Sequence, residues 1–310
     1  MTVRLGLVGA GACAEHVARA AAALPDAELA AVAAPIGADA FAARHDVPFS
    51  FKDYRSLIEA VPVDALVIAA PTDVHYDVCI AAADAGLAVI CPSPLAVGPA
   101  EADLLAALAA RGALRLAMLC PEAIALGRAL GPRLPGRLRW TRRRRRPQGW
   151  RLDPDRAGGG VLMDLGAAAV LALSSWADSE PLVRAAAVDA AVDGGWEPVD
   201  REARVVLSLA GTETELLLRW GEAVDGEELC RGDSPAAVPL SLGEECWRQA
   251  LADALTGCAP SFEAGLRALE TVAACYAAAA EGGDVDDHGE RPERAIDYWL
   301  AGGETQRSGR

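Results

Sequence analysis

With 310 residues the chain exceeds what one ordinary hydrophobic core supports, so two domains are expected. Its 29 basic against 44 acidic residues leave a formal charge of −15, which argues against nucleic acid or an anionic membrane as a global partner. Mean hydropathy is +0.18, yet alanine carries much of it, and the most apolar window, residues 161–173, is broken by Asp164 and Gly166, so no membrane span is expected.

Residues 3–8 read as a buried parallel strand, starting so soon after Met1 that no signal peptide is expected and the cytoplasm is the expected location. Gly9-Ala10-Gly11-Ala12-Cys13-Ala14 follows, then an alanine-rich helix to about residue 24. This is the G-x-G-x-x-A form of the dinucleotide turn. Gly9 permits the tight bend, Gly11 lets the backbone approach a diphosphate, and Ala14 lets helix and strand pack closely. The strand over 29–33 ends in Ala34-Pro35-Ile36, where a carboxylate would grip the ribose hydroxyls. Neither an acid nor an arginine for a 2′-phosphate stands there. Asp39 lies further along, in the helix expected over 38–45.

A strand over 65–69 ends in Ala70-Pro71-Thr72-Asp73-Val74-His75 and opens a helix over 76–85, stopped by Gly86. Another strand, over 88–90, ends in Cys91-Pro92-Ser93-Pro94-Leu95-Ala96 before a helix over 99–110. Strands and helices alternating in this order predict a doubly wound parallel sheet, whose ligands bind beyond the carboxyl ends of the strands. The residues expected to meet a dinucleotide are therefore Gly9, Gly11, Ala12, Cys13, Ala14, Ala34, Ala70, Pro71, Thr72, His75, Pro92 and Ser93.

The boundary of this α/β domain is expected near Cys120, giving domains 1–120 and 121–285 and a polar tail over 286–310. The second domain opens on a strand over 136–146 that carries five consecutive arginines, Arg142 to Arg146. Strand alternation sends Arg142, Arg144 and Arg146 to one face and Arg143 and Arg145 to the other. A solvated or salt-bridged strand is the plainer reading of this run; an anionic substrate or acidic partner is the sharper one. Gly158-Gly159-Gly160 then leads into a helix over 161–176. Strands over 182–192, 203–210 and 213–220 and helices over 244–255 and 262–280 complete the unit.

The run from Asp53-Tyr54 through Pro71-Thr72 and His75 to Ser93-Pro94-Leu95-Ala96 resembles the nucleotide domain of the Gfo/Idh/MocA family, the glucose–fructose oxidoreductase and inositol dehydrogenase group. Trp150-Arg151, Gly158 to Gly166, and Ala259-Pro260-Ser261 leading into Gly265 to Glu270 resemble that family's second domain. The resemblance implies an N-terminal Rossmann domain and a C-terminal open, mixed or antiparallel sheet. It also implies NAD or NADP as cofactor, a sugar- or polyol-like small molecule as substrate, and a homodimer or homotetramer built through the C-terminal sheet. In the family a Glu-Lys-Pro motif supplies a lysine to the substrate hydroxyl and cofactor; here Pro92, Ser93 and Pro94 stand in its place. Lys52 is the only lysine in the chain, so arginine-rich coding would have left an arginine at 93. The family's Asp-x-Gly-x-His matches Asp164, Leu165 and Gly166, but Ala168 replaces the histidine.

Oxidising an alcohol requires a base for the hydroxyl proton while hydride leaves. The candidates left are Asp164, if burial raises its pKa, with His75, Ser93 and Tyr76 nearby; His75, at a helix start, is read more readily as orienting its loop. Eight cysteines, at 13, 79, 91, 120, 230, 246, 258 and 275, lack zinc or redox spacing, and with four histidines no metal is expected. Three readings stand open. One is an NAD(P)-linked dehydrogenase with impaired hydride chemistry, the second an isomerase, lyase or cyclase reusing the cleft, and the third a non-catalytic subunit.

Overall fold

A computed structural model describes residues 2–282 apart from 132–134, 190, 193–194, 197, 222–224, 233 and 235; the polar tail anticipated over 286–310 lies outside the described residues. The first half forms six strands, β1 (Val3–Val8), β2 (Ala27–Ala33), β3 (Phe49–Phe51), β4 (Ala65–Ile68), β5 (Ala88–Pro92) and β6 (Arg115–Leu119). All pair in parallel in the order β3-β2-β1-β4-β5-β6. The order reverses beside β1, as in doubly wound dinucleotide folds. Helices cover both faces, so the central strands lose alternation: every residue of β4 is buried. The edge strands β3 and β6 were not anticipated, nor was the helix Tyr54–Ala60, whose N-cap Asp53 accepts from the Arg55 and Ser56 amides at 2.9 and 3.0 Å.

The second half adds β7 (Arg137–Arg145), β8 (Leu182–Asp189), β9 (Ala191–Val192), β10 (Gly195–Trp196), β11 (Glu202–Leu209), β12 (Thr212–Gly221), β13 (Gly226–Arg231) and β14 (Ala237–Pro239). Six of them make a mixed sheet in the order β14-β13-β7-β12-β11-β8, parallel only between β7 and β12. β7 alternates as expected. Leu138, Trp140 and Arg142 point inward, while Arg137, Arg139 and Arg143 face out. The outer face is a ladder of cross-strand ion pairs, Arg137–Glu213, Arg139–Glu215–Arg204, Arg143–Glu228 and Arg219–Glu202. The inner face is covered by the helix Ala167–Ala177, whose residues 167–174 are all buried. The continuous helical run Pro154–Ala177 is long and apolar enough by composition to cross a membrane, but its apolar window is 94% buried inside the protein. It is a core helix.

The chain then returns to the first sheet. Helix Glu244–Thr256 lays Ala250 and Leu251 into the core formed by Val17, Ala18 and β1, and helix Phe262–Gly282 packs against both halves. The backbone of Met118 donates to Pro260 O at 2.8 Å, tying β6 to this segment.

The helix bearing Asp164 is held at its start by a buried carboxylate. Asp200 accepts from the Gly160 and Leu162 amides at 3.0 and 2.9 Å and from the Tyr276 hydroxyl at 2.7 Å. Burial pushes its carboxyl above the ordinary value, against the pull of these donors. Gly160 has no room for a side chain, since a Cβ would lie 2.0 Å from Asp200 O. Gly158, at φ +76°, would place one 2.1 Å from Val97 O, in the loop that follows Ser93. Asp200→Ala removes the carboxylate from the Gly160 and Leu162 amides and the Tyr276 hydroxyl, leaving Gly160 its longer 3.3 Å bond to the Tyr276 oxygen, at about 1–3 kcal/mol for each bond lost. It is expected to lower unfolding free energy by at least about 3 kcal/mol in urea titrations. A loss no larger than that of Tyr276→Phe would refute this clasp.

Candidate functional site

The dinucleotide turn is built by two glycines with different duties. Gly9 sits at φ +121°, and a Cβ there would lie 2.2 Å from the Ala69 carbonyl oxygen, so only glycine fits. A Cβ on Gly11 would meet no atom within 4 Å, so the space above the turn is open. Helix Ala12–Ala22 starts there with no side chain capping its first-turn amides. Open space, unclaimed donors and the positive end of a helix fit a diphosphate. Ala14, fully buried, provides the close helix–sheet contact.

At the end of β2 the fit is poorer. Ala34 is buried with its amide on Phe51 O, Ile36 is exposed, and Asp39 accepts from the Ser50 hydroxyl at 2.6 Å. Nothing at this strand end selects between a ribose hydroxyl and a 2′-phosphate.

His75 joins two loops. Its Nδ1 lies 3.0 Å from Pro94 O and its Nε2 3.2 Å from Ala70 O, with Cys91 Sγ at 3.5 Å. Burial lowers its pKa, against the pull of these carbonyls; the neutral ring carries one N–H and donates to one carbonyl at a time, packed between the loop after β4 and the loop after β5. The Ser93–Pro94 peptide in that second loop is cis. Tyr76 departs from expectation. It packs on the apolar core of the first sheet and does not line the cleft, because it follows His75 by a single residue and so faces a different side of the helix.

A cleft of about 460 Å3 opens between the carboxyl ends of the first sheet and the second domain. Ala12, Cys13, Ala70, Thr72, His75, Pro92 and Ser93 line one side; Arg144, Arg145, Arg151, Asp164 and Ala168 line the other. The expectation that burial would raise Asp164 into a working base is overturned. Burial does act in that direction, but Arg144 and Arg151 outweigh it and hold the carboxyl below its ordinary value. Arg144 Nη1 lies 3.1 and 2.9 Å from the two carboxylate oxygens, Arg151 Nε lies 3.1 Å from Oδ1, and Trp220 Nε1 lies 3.3 Å from Oδ2. Asp164 is an ion-paired acceptor. Cys13 is no nucleophile either, as burial pushes its thiol up to about 12.

The arginine run divides by depth. Arg142 is 1% exposed and donates to Leu165 O, Glu122 and Glu227 at 2.8, 3.1 and 2.7 Å. Arg143 pairs with Glu228 on the outer face, and Arg144 and Arg145 reach the cleft. Two further cleft residues escaped the sequence reading. His16, one turn beyond Cys13, stacks on Trp247 of helix Glu244–Thr256 with ring centroids 4.7 Å apart. Helical spacing from Cys13 could have flagged His16; nothing local could have paired it with Trp247. Burial and then Arg19 lower the His16 pKa, keeping that imidazole neutral at pH 7. Among the described residues no group of three or more potential ligands is placed to hold a metal.

Residues 3–119 match the family model described as the oxidoreductase family with an NAD-binding Rossmann fold, Gfo/Idh/MocA. The likeness to the Gfo/Idh/MocA family is thus carried by the N-terminal domain. The chain is 38% identical over 108 residues to the rhizopine catabolism protein MocA of Rhizobium meliloti, covering 35% of this chain and 34% of that protein. It is also 38% identical over 97 residues to an inositol 2-dehydrogenase of Corynebacterium glutamicum, covering 30% and 29%. The match thus spans about a third of the length of these curated relatives. Over nearly the whole chain the likeness is one of fold. GenD2 from gentamicin A biosynthesis, solved in complex with NAD, superposes with a TM-score of 0.74 at 20% identity over 91% of this chain and 95% of that one. Aldose–aldose oxidoreductase from Caulobacter crescentus, complexed with glycerol, gives 0.71 at 21% identity over 91% and 98%.

Proposed function

We propose that this chain is a Gfo/Idh/MocA family member that binds NAD(P) across its first sheet and a small polyhydroxylated molecule in the cleft, with hydride transfer much slower than a dehydrogenase of this fold would normally reach. The curated relatives include inositol dehydrogenases, which supports both the cofactor and the substrate class. The amides around Gly11, Ala12, Cys13 and Ala14 would hold the diphosphate, and Ala70, Pro71, Thr72, Pro92 and Ser93 would flank the rest. When bound, NAD(P) supplies the hydride acceptor or donor.

One observation carries the proposal: among the described residues the cleft has no free proton carrier where the family's lysine and histidine stand. Ser93 offers a hydroxyl and Ala168 a methyl group. His75 has both ring nitrogens against carbonyl oxygens, and Asp164 is held between two arginines. Glu122 is engaged by Arg142, and Asp225 by the Arg145 amide. Arginine does not give up its proton in the working pH range. His16 keeps one ring nitrogen unpartnered among the described residues, but it belongs to the helix that opens at the dinucleotide turn and is stacked on Trp247.

Separate calorimetric titrations with NAD⁺ and NADP⁺ test this reading. Both are expected to bind, with affinities within about tenfold of each other, because neither a ribose carboxylate nor a 2′-phosphate arginine discriminates. Turnover of myo-inositol, glucose or glycerol is expected about 10²–10⁴ below the typical enzyme rate of roughly 10 s⁻¹. Failure of both nucleotides to bind, or ordinary turnover of a polyol, would sink the proposal.

A further inference from the structure

We infer that the cleft is shaped for a substrate bearing an oxyanion, a carboxylate or phosphate on a polyhydroxylated chain, held by Arg144 and Arg151. This rests on the proposed reading only in placing the substrate in that cleft.

The case begins with Asp164. Its two oxygens receive Arg144 Nη1, Arg151 Nε and Trp220 Nε1, which exhausts the acceptor directions that a substrate hydroxyl would need. The arginines are not exhausted. Arg144 Nη2 and both terminal nitrogens of Arg151 bond to no described residue, and the two side chains remain 36% and 35% exposed on the cleft wall. Two permanent cations share one carboxylate, so this corner of the cleft carries a local excess of one positive charge inside a chain whose overall charge is −15. The other lining charges, Arg145 against Glu122 and Asp225, balance the cleft as a whole, but Glu122 is drawn to the buried Arg142 and Asp225 to the Arg145 backbone amide, and neither is paired with Arg144 or Arg151.

Orientation is fixed as well as charge. The Arg151 guanidinium stacks over the Trp150 ring at 4.3 Å, and Arg144 leaves β7 with its Nη1 clamped on both oxygens of Asp164. Two guanidinium planes held this way present N–H pairs of the kind that bind a carboxylate or phosphate through two parallel bonds. A neutral sugar would leave those donors to water alone; an acid sugar would satisfy them. On the opposite wall Ser93 is free to bond the ligand's hydroxyls. The cations bind and orient, and they move no proton.

Calorimetry on the full chain, first without nucleotide, tests the inference with D-gluconate, D-glucuronate, glucose 6-phosphate, D-glucose, myo-inositol and inorganic phosphate. At least one charged sugar is expected to bind about tenfold or more tightly than glucose, with a preference that weakens as salt is raised. Whether the acids or the phosphate leads identifies the oxyanion. Arg144→Gln and Arg151→Gln are each expected to remove most of the preference. Arg151→Lys, which keeps the charge and loses the fork, is expected to retain part of it, and circular dichroism shows that each variant is folded. The inference is overturned if glucose binds as tightly as its acids. It is equally overturned if the preference survives both glutamine variants, or if inorganic phosphate binds as tightly as the sugar phosphate, which is then an adventitious ion only. Repeating the titrations with NAD⁺ separates the two readings. Nucleotide binding with preference for neutral sugars sinks this inference alone; anion preference without nucleotide binding sinks only the proposed function.

Discussion

Arg142→Met is expected to cost about 3–5 kcal/mol of unfolding free energy, among the largest single-residue losses this chain can show. Arg142 lies on β7 at 1% exposure and ties three elements together: helix Pro121–Leu130 through Glu122, β13 through Glu227, and the helical turn Leu162–Gly166 that carries Asp164 through Leu165 O. The two carboxylate side chains are only 12% and 13% exposed. Burial opposes the arginine's charge, but Glu227 and Glu122 more than offset it and raise its pKa further. Methionine matches the stem of the side chain, so the cavity is small. What dominates is two anions left in a poorly hydrated site with one carbonyl unpaired. Removing the charges together should therefore be far milder than removing one. The triple variant Arg142→Met, Glu122→Met, Glu227→Leu is expected to regain most of the loss, short of the bond from Trp140 Nε1 to Glu227. Urea denaturation followed by tryptophan fluorescence measures both. A single variant within about 1 kcal/mol of the parent would show that the buried arginine is not a structural tie.

The contrast between Arg142 and its neighbours explains why the run was only half legible. Period-two alternation correctly sent Arg142 and Arg144 to one face and Arg143 to the other. Alternation says nothing of depth, and depth is set by partners 20 and 85 residues away in sequence. The parallel strands of the first sheet read clearly because burial on both faces leaves unbroken apolar runs such as Ala65–Ile68. Edge strands carry no such mark. β3 has three residues, β6 is half-exposed and stops just short of Pro121, the polar β13 resembles a loop, and β14 is three exposed residues ending in proline. The candidate site was legible where it follows the chain locally, at Gly9, Gly11, Ala14, the 70–75 loop and Ser93. It was not legible where two domains meet. Asp164 could be placed on a helix, but Arg144 and Arg151 converge on it from β7 and the segment after it, 20 and 13 residues earlier, and Trp247 meets His16 only through the return of the chain to the first sheet.

Installing the missing pair, Ser93→Lys with Ala168→His, is expected to raise NAD⁺-linked polyol oxidation by about 10²–10⁴ over the parent, the usual worth of a positioned general base. Both positions line the same cleft, and its volume of about 460 Å3 leaves room for the longer side chains. A histidine at 168 would sit on the buried face of helix Ala167–Ala177, on the wall shared with Arg144 and Arg151, whose charges disfavour a second cation. Its pKa should thus fall below the ordinary value of about 6.5, so the rate should rise with pH through an inflection below that value and be level at pH 7. The single Ala168→His variant should recover part of the gain with the same pH profile; the single Ser93→Lys variant should chiefly tighten substrate binding. Stopped-flow measurement of NADH formation at saturating nucleotide separates chemistry from binding. If the double variant folds and binds NAD⁺ but oxidises polyols no faster than the parent, proton handling is not what limits this cleft. Its divergence would then lie in the ligand the arginines select rather than in the groups it has lost.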